Sequence, residues 1–176
     1  METSVKLRPY QEMAVQAALP HDGFALFMEA RTGKTITTLW LSSLWNCHQN
    51  LVICPKKALP VWKQEIALMG LDVNQFEIVS FETFRIHRLK FQQSWDLVIV
   101  DESHRIKDRK SQQTKAVWSL SRRAKKRLIL SGSPTGFLGR PIGSPFPGDF
   151  KFCIDVTIVL ALTPTTYSWG TMPQTC

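Results

Sequence analysis

The chain has 176 residues, with 22 Lys and Arg against 14 Asp and Glu, a formal net charge of +8 and 44% hydrophobic residues. That length holds one sizeable domain with a real core, and the composition is that of a soluble globular protein. The four cysteines, Cys47, Cys54, Cys153 and Cys176, form no C-x-x-C pair, which speaks against a disulfide framework or zinc knuckle and fits a reducing cytosol.

The basic balance makes a polyanion a reasonable partner. The N-terminus lacks an apolar signal core, and the longest mostly apolar run, Val156 to Leu162, is far too short to cross a bilayer. No membrane partner is expected.

Leu7-Arg8-Pro9-Tyr10-Gln11 opens a helix, because proline suits a first helical turn. Met13, Ala14, Ala17 and Ala18 follow at helical spacing, and Pro20 with Gly23 ends the run. Phe24 to Met28 reads as a buried strand, and a helix after Thr35 places Ile36, Leu39, Trp40 and Leu44 on one face. Leu51 to Cys54 is a second strand, broken by Pro55-Lys56-Lys57. The next helix carries Trp62, Ile66 and Met69 on one face and ends at Gly70.

Glu77 to Ser80 forms a third strand, followed by a helical turn from Phe81 to His87. Trp95 to Val100 is a fourth strand, apolar from Leu97 onward as in a sheet covered on both faces. A helix from Ser111 to Leu120 and a strand from Arg127 to Leu130 complete the series. Strands alternating with helices predict an α/β fold with an open parallel sheet. Ligands in such sheets bind beyond the carboxyl ends of the strands. Trp40, Trp45 and Trp118 are expected to pack in the core, and only Trp62 to lie beside nucleic acid.

Two of these strand ends carry chemistry. After Met28 the chain runs Glu29-Ala-Arg31-Thr32-Gly33-Lys34-Thr35 into a helix. That layout cradles phosphates: amide groups and the helix N-terminus face the anion, a lysine neutralises charge, and a hydroxyl reaches Mg²⁺. The full pattern G-x-x-x-x-G-K-[ST] has glycine where this chain has Met28, and Gly-Lys-Thr alone recurs by chance.

The second site is Asp101-Glu102-Ser103-His104, directly after the strand ending at Val100 and 67 positions after Lys34. Asp101 can hold Mg²⁺ through water, and Glu102 can orient or deprotonate a water that attacks a γ-phosphate. A lone Asp-Glu at a strand end would read as a capped turn. The combination with Gly-Lys-Thr is far more specific. His104 as a metal ligand lacks further Cys or His nearby in sequence.

With these residues in place the chain resembles superfamily 2 helicases of the Swi/Snf-like branch, including small phage and bacterial versions, with a DEAD/DEAH-type motif II. Gly33-Lys34-Thr35 and Asp101-Glu102-Ser103-His104 resemble motifs I and II. Leu7-Arg8-Pro9-Tyr10-Gln11 resembles the Q-motif region, Cys54 to Trp62 motif Ia, and Val79 to Phe84 the segment near motif Ib. Leu130-Ser131-Gly132-Ser133-Pro134-Thr135 resembles motif III. The family tolerates Met28, whereas Arg31 stands where many relatives have glycine.

The resemblance covers residues 7–135 and implies the first of two RecA-like lobes, a three-layer P-loop NTPase fold with a mostly parallel sheet. It implies ATP and Mg²⁺ as cofactors. Arg8, Gln11, Arg31, Thr32, Gly33, Lys34 and Thr35 would bind nucleotide, with Gln11 on adenine. Thr35 and Asp101 would hold Mg²⁺, Glu102 would position water, and His104, Ser131, Gly132 and Ser133 would couple nucleotide state to movement. Pro55, Lys56, Lys57, Trp62 and Ser80 would approach nucleic acid, expected to be double-stranded DNA. The implied location is a bacterial or phage-infected host cytosol.

Residues 1–135 form the expected ATP-binding domain and carry the whole of the +8 charge, while residues 136–176 hold five of the ten prolines and five of the nine glycines. This tail aligns with no family continuation. Three accounts compete: truncation or frameshift after Thr135, a second lobe on a separate chain, or a genuine short cap. The chain as it stands is expected to bind ATP and turn it over slowly, since the relatives' arginine finger lies on the second lobe. The rival expectation is a single-lobe module that binds nucleotide or duplex DNA without productive turnover. A third and weaker one is the ATPase subunit of a restriction or nuclease complex.

Arg85, Arg88 and Lys90, and Lys56, Lys57 and Lys63, are candidate phosphate contacts or a solvated face. Arg122 to Arg127 reads as a polar loop.

Overall fold

The computed structural model describes residues 5–106, 108 and 110–132, together with the backbone of two strands at 158–163 and 166–167. In chain order the elements are α1 (Pro9–Ala18), β1 (Gly23–Met28), α2 (Lys34–Leu44), β2 (Asn50–Cys54), α3 (Leu59–Leu68) and β3 (Phe76–Ser80). They continue with α4 (Phe81–Ile86), β4 (Leu97–Val100), α5 (Gln112–Ser121), β5 (Lys126–Ser131), β6 (Ile158–Thr163) and β7 (Thr166–Tyr167).

The sheet order is β3-β2-β4-β5-β1-β6-β7. All pairings are parallel except β6 with β7. The carboxyl ends of β1 to β5 therefore share one edge.

Alternation along the strands divides the core into two layers. Leu26 of β1, Val52 of β2, Ile99 of β4 and Leu128 of β5 face one cluster, which Ala14 of α1, Leu41 of α2 and Ile66 of α3 complete. Phe27, Ile53, Val98 and Ile129 face the other, with Phe84 of α4 and Val117 of α5. Both faces are covered, so these strands are continuous apolar runs, as a parallel sheet requires. The result is the expected three-layer α/β arrangement.

Helix ends follow local chemistry. Gly70 takes a φ of 66°, the left-handed conformation that ends α3. The Ser80 and Ser111 hydroxyls accept from the Thr83 and Thr114 amides and cap α4 and α5.

Two packing expectations are corrected. The face of α2 on the core carries Thr37, Thr38, Leu39, Leu41 and Ser42, while Leu44 is exposed. Two of these hydroxyls are satisfied internally, Thr37 donating to the Gly33 carbonyl and Ser42 to Asn50 Oδ1. The helix can thus present small side chains to the sheet. Trp40 and Trp45 are half-buried and pack against the first cluster as expected, Trp118 is half-buried outside both clusters, and Trp62 and Trp95 lie in the core.

β6 lies parallel to β1 and pairs Phe24 with Ile158 through Met28 with Leu162. Ser133, Pro134 and Thr135 lie outside the described residues.

Candidate functional site

The turn after β1 is shaped by two residues with positive φ, Arg31 at 65° and Gly33 at 81°. Thr32 closes it from within, its hydroxyl donating to the Glu29 carbonyl at 2.6 Å. Lys34, the first residue of α2, folds back over the turn and donates to the Met28 and Glu29 carbonyls, each at 2.9 Å. Burial holds the Lys34 ammonium below the usual lysine range, against the opposing charges of Glu102 and Asp101. Gly132, just past β5, lies over the same group, so that a Cβ there would sit 3.8 Å from Lys34 Nζ.

The first turn of α1 braces the loop. Tyr10 donates its hydroxyl, and Gln11 its side-chain amide, to the Thr32 carbonyl, both at 3.0 Å. Gln11 Oε1 accepts from the Arg8 amide at 2.8 Å. Gln11 is buried, and a Cβ on residue 33 would collide with its Nε2. A cleft of about 520 Å³ opens here, lined among others by Lys6, Arg8, Arg31, Lys34, Thr35 and Ile36. Four of those six side chains are cationic, and Val61 and Glu65 of α3 form part of the wall.

Asp101 leaves β4 with its carboxylate fixed at both oxygens. Oδ1 accepts from the Glu102 amide at 2.9 Å, and Oδ2 from the Trp62 indole at 3.1 Å. Burial raises its pKa; the Trp62 hydrogen bond opposes that rise and the Glu102 charge adds to it. Glu102 adopts a φ of 51°, and its Oε2 lies 3.2 Å from His104 Nδ1. Among the described residues no group of three or more His, Cys, Asp or Glu side chains could hold a metal by itself. A cation here would need oxygen from elsewhere to complete its shell.

The structure brings Arg8, Gln11, Arg31, Thr32, Gly33, Lys34 and Thr35 to one cleft. It sets Asp101 and Glu102 within electrostatic reach of Lys34. Ser131 is buried at the end of β5, Gly132 adjoins Lys34, and Ser133 lies outside the described residues.

The expected nucleic-acid group divides. Lys56 and Lys57 are exposed and Pro55 is buried beside them. Trp62 is corrected: it is 1% exposed and points inward to Asp101, because a buried indole N–H needs an acceptor. Ser80 is corrected too, being 4% exposed with its hydroxyl committed to capping α4. Tyr10 is a site residue that the sequence reading left without a role. Its place one residue before Gln11 on the same helical turn was the available signal.

A family profile described as the SNF2-related domain matches residues 73–136. The matched segment runs from just before β3, through Asp101 and Glu102, to just past Gly132.

Protein CHROMATIN REMODELING 25 of Arabidopsis thaliana is 47% identical over an alignment 176 positions long that covers 73% of this chain and 19% of that protein. A Caenorhabditis elegans homolog of SWI/SNF-related matrix-associated actin-dependent regulator of chromatin subfamily A-like protein 1 is 28% identical over 158 residues. That match covers 77% of this chain and 23% of the relative. The SWI2/SNF2 ATPase core of Sulfolobus solfataricus, solved in complex with dsDNA, superimposes with a TM-score of 0.68 at 22% identity over 76% of this chain and 34% of that one. The chain thus spans about a fifth of the length of these curated relatives. At that identity the structural likeness establishes the fold.

Proposed function

We propose that this chain is the ATP-binding lobe of an ATP-dependent DNA translocase, which couples hydrolysis to movement on double-stranded DNA when a second RecA-like lobe closes over it. One observation carries the reading. Lys34, Asp101, Glu102 and Gly132 come from three separate strand ends and meet at one edge of the sheet.

The residues present fit a nucleotide with Mg²⁺. Gly33 and the start of α2 offer amide donors, Lys34 offers a cation held by two carbonyls, and Thr35 offers a hydroxyl in the same cleft. Asp101 keeps a lone pair on each oxygen beyond its two N–H contacts. The bound metal would neutralise charge on the phosphates. Lys34 would fix the phosphate end, Gln11 and Tyr10 would keep the loop in its binding shape, and Glu102 would hold the proton-accepting carboxylate at the mouth of β4. Exposed Lys56 and Lys57 support a nucleic-acid face on the same edge. The relative solved with dsDNA and the chromatin-remodelling relatives support duplex DNA as the polymer.

An arginine supplied by a second lobe is worth roughly 10³ to 10⁵ in rate. The described lobe assayed by itself is therefore expected to bind ATP and turn it over slowly. The test is ATP binding and hydrolysis, with and without duplex DNA, for the wild-type chain and for Glu102→Gln. Binding retained with hydrolysis abolished supports the proposal. Hydrolysis unchanged by the substitution favours a lobe that only binds.

A further inference from the structure

Trp62 was expected at the nucleic-acid surface, yet its indole is buried and reaches Asp101 across 39 positions of sequence. The contact is specific in geometry. Glu102 N–H holds Oδ1 and Trp62 Nε1–H holds Oδ2, so the plane of the carboxylate is set by two donors on two different elements. One donor belongs to the backbone that carries Asp101 itself. The other belongs to α3, which packs on the sheet through Trp62 and Ile66.

We propose that Trp62 is a positioning residue for the metal-facing carboxylate of Asp101, and this rests on the nucleotide reading above. One physical argument supports it. A half-buried carboxylate held by an N–H donor on each oxygen has its plane and its remaining lone pairs fixed, which is how partners outside a coordination shell tune metal affinity. The placement of α3 adds a consequence. The helix begins directly after the short turn Lys56–Ala58, whose lysines are exposed. The basic turn and the donor to Asp101 thus sit on one continuous piece of chain, and a displacement of α3 would reach the carboxylate through a single side chain.

The indole N–H must be separated from the indole's bulk. Replacement of Trp62 by 3-benzothienylalanine keeps the shape and removes only the donor. Trp62→Phe is the encoded counterpart, and thermal unfolding of both reports the integrity of the fold. The probe is a fluorescent ATP analogue titrated first in EDTA and then at rising Mg²⁺, with Mn²⁺ binding by electron paramagnetic resonance as a second readout.

For the isostere, the expected result is nucleotide affinity in EDTA within twofold of wild type, and a Mg²⁺ requirement raised by roughly tenfold. Weakened Mn²⁺ binding should accompany it. An unchanged Mg²⁺ requirement in a folded isostere overturns the proposal, because the N–H would then be only a satisfied core donor. Equal losses with and without metal overturn it as well, because Trp62 would then support the cleft and not the carboxylate. If the wild-type chain binds no nucleotide in either condition, the nucleotide reading itself fails and this inference falls with it.

Discussion

Gln11 and Thr32 are joined by a 3.0 Å hydrogen bond from the glutamine amide to the loop carbonyl. The room for that bond exists because residue 33 has no side chain, since a Cβ there would collide with Gln11 Nε2. The phosphate-type loop is therefore shaped from outside, by the first turn of α1. Gln11→Ala is expected to lower the unfolding free energy by about 1–2 kcal/mol, through two lost hydrogen bonds at a buried side chain. Gly33→Ala is expected to cost more, because it adds both the collision and a φ of 81° that L-residues resist. The double variant should be less destabilised than the sum of the two, since removing the glutamine relieves the collision. Urea unfolding of the four proteins measures all three quantities. Strict additivity would contradict the described geometry.

Arg31 offers a test in which stability and function move in opposite directions. Its φ of 65° is left-handed, yet it is not glycine. Arg31→Gly should raise the unfolding free energy by about 0.5–1 kcal/mol through relief of backbone strain. Arg31 also lines the cleft beside Lys6, Arg8 and Lys34, so the same change should weaken ATP binding by roughly 3- to 10-fold. AMP binding should change less. Loss of stability in Arg31→Gly would show that the arginine side chain stabilises the loop by more than the strain it introduces.

At the opposite edge of the sheet, Asp96 precedes β4 and joins three segments. Its carboxylate bonds to Lys125 at 2.8 Å and accepts from the His48 and Gln49 amides. The Lys125 hydrogen bond is the largest cause that holds its pKa near 2, with both amides contributing. The folded pKa lies below the unfolded value of 3.8. The stabilisation is therefore complete above about pH 4 and disappears as pH falls toward 2. Because Lys125 is 77% exposed, the pair is partly screened by solvent. Asp96→Asn should cost roughly 1–2 kcal/mol at pH 7 and almost nothing at pH 2. Unfolding midpoints at pH 2, 3, 4 and 7 check the sign. A constant difference across that range would contradict it.

The β-strands were legible because a strand buried on both faces leaves an unbroken apolar run, as in Leu97-Val-Ile-Val100. The buried face of α2 was not. Its threonines and serine read as polar, and it is hydrogen bonds from Thr37 to the Gly33 carbonyl and from Ser42 to Asn50 that suit those two to a core. Gln11, Lys34 and Asp101 could be placed from short motifs, since loop and strand-end chemistry is local. Trp62 could not, because its acceptor lies 39 positions away and only the β2–β4 pairing brings the two segments together. Ser80 was misread for a local reason: a hydroxyl that caps α4 is indistinguishable in sequence from one free to meet a phosphate.

The cleft beside Gln11 and Lys34 is expected to bind ATP with Mg²⁺. Isothermal titration of the 176-residue chain with ATP and MgCl₂, beside Lys34→Ala, tests it most directly. Saturable one-to-one binding by the wild type is expected, with a loss of about tenfold or more in the variant, since a half-buried lysine meeting phosphate forms a charge-assisted bond. No saturable binding by a folded wild-type chain, or equal affinity in Lys34→Ala, would contradict it.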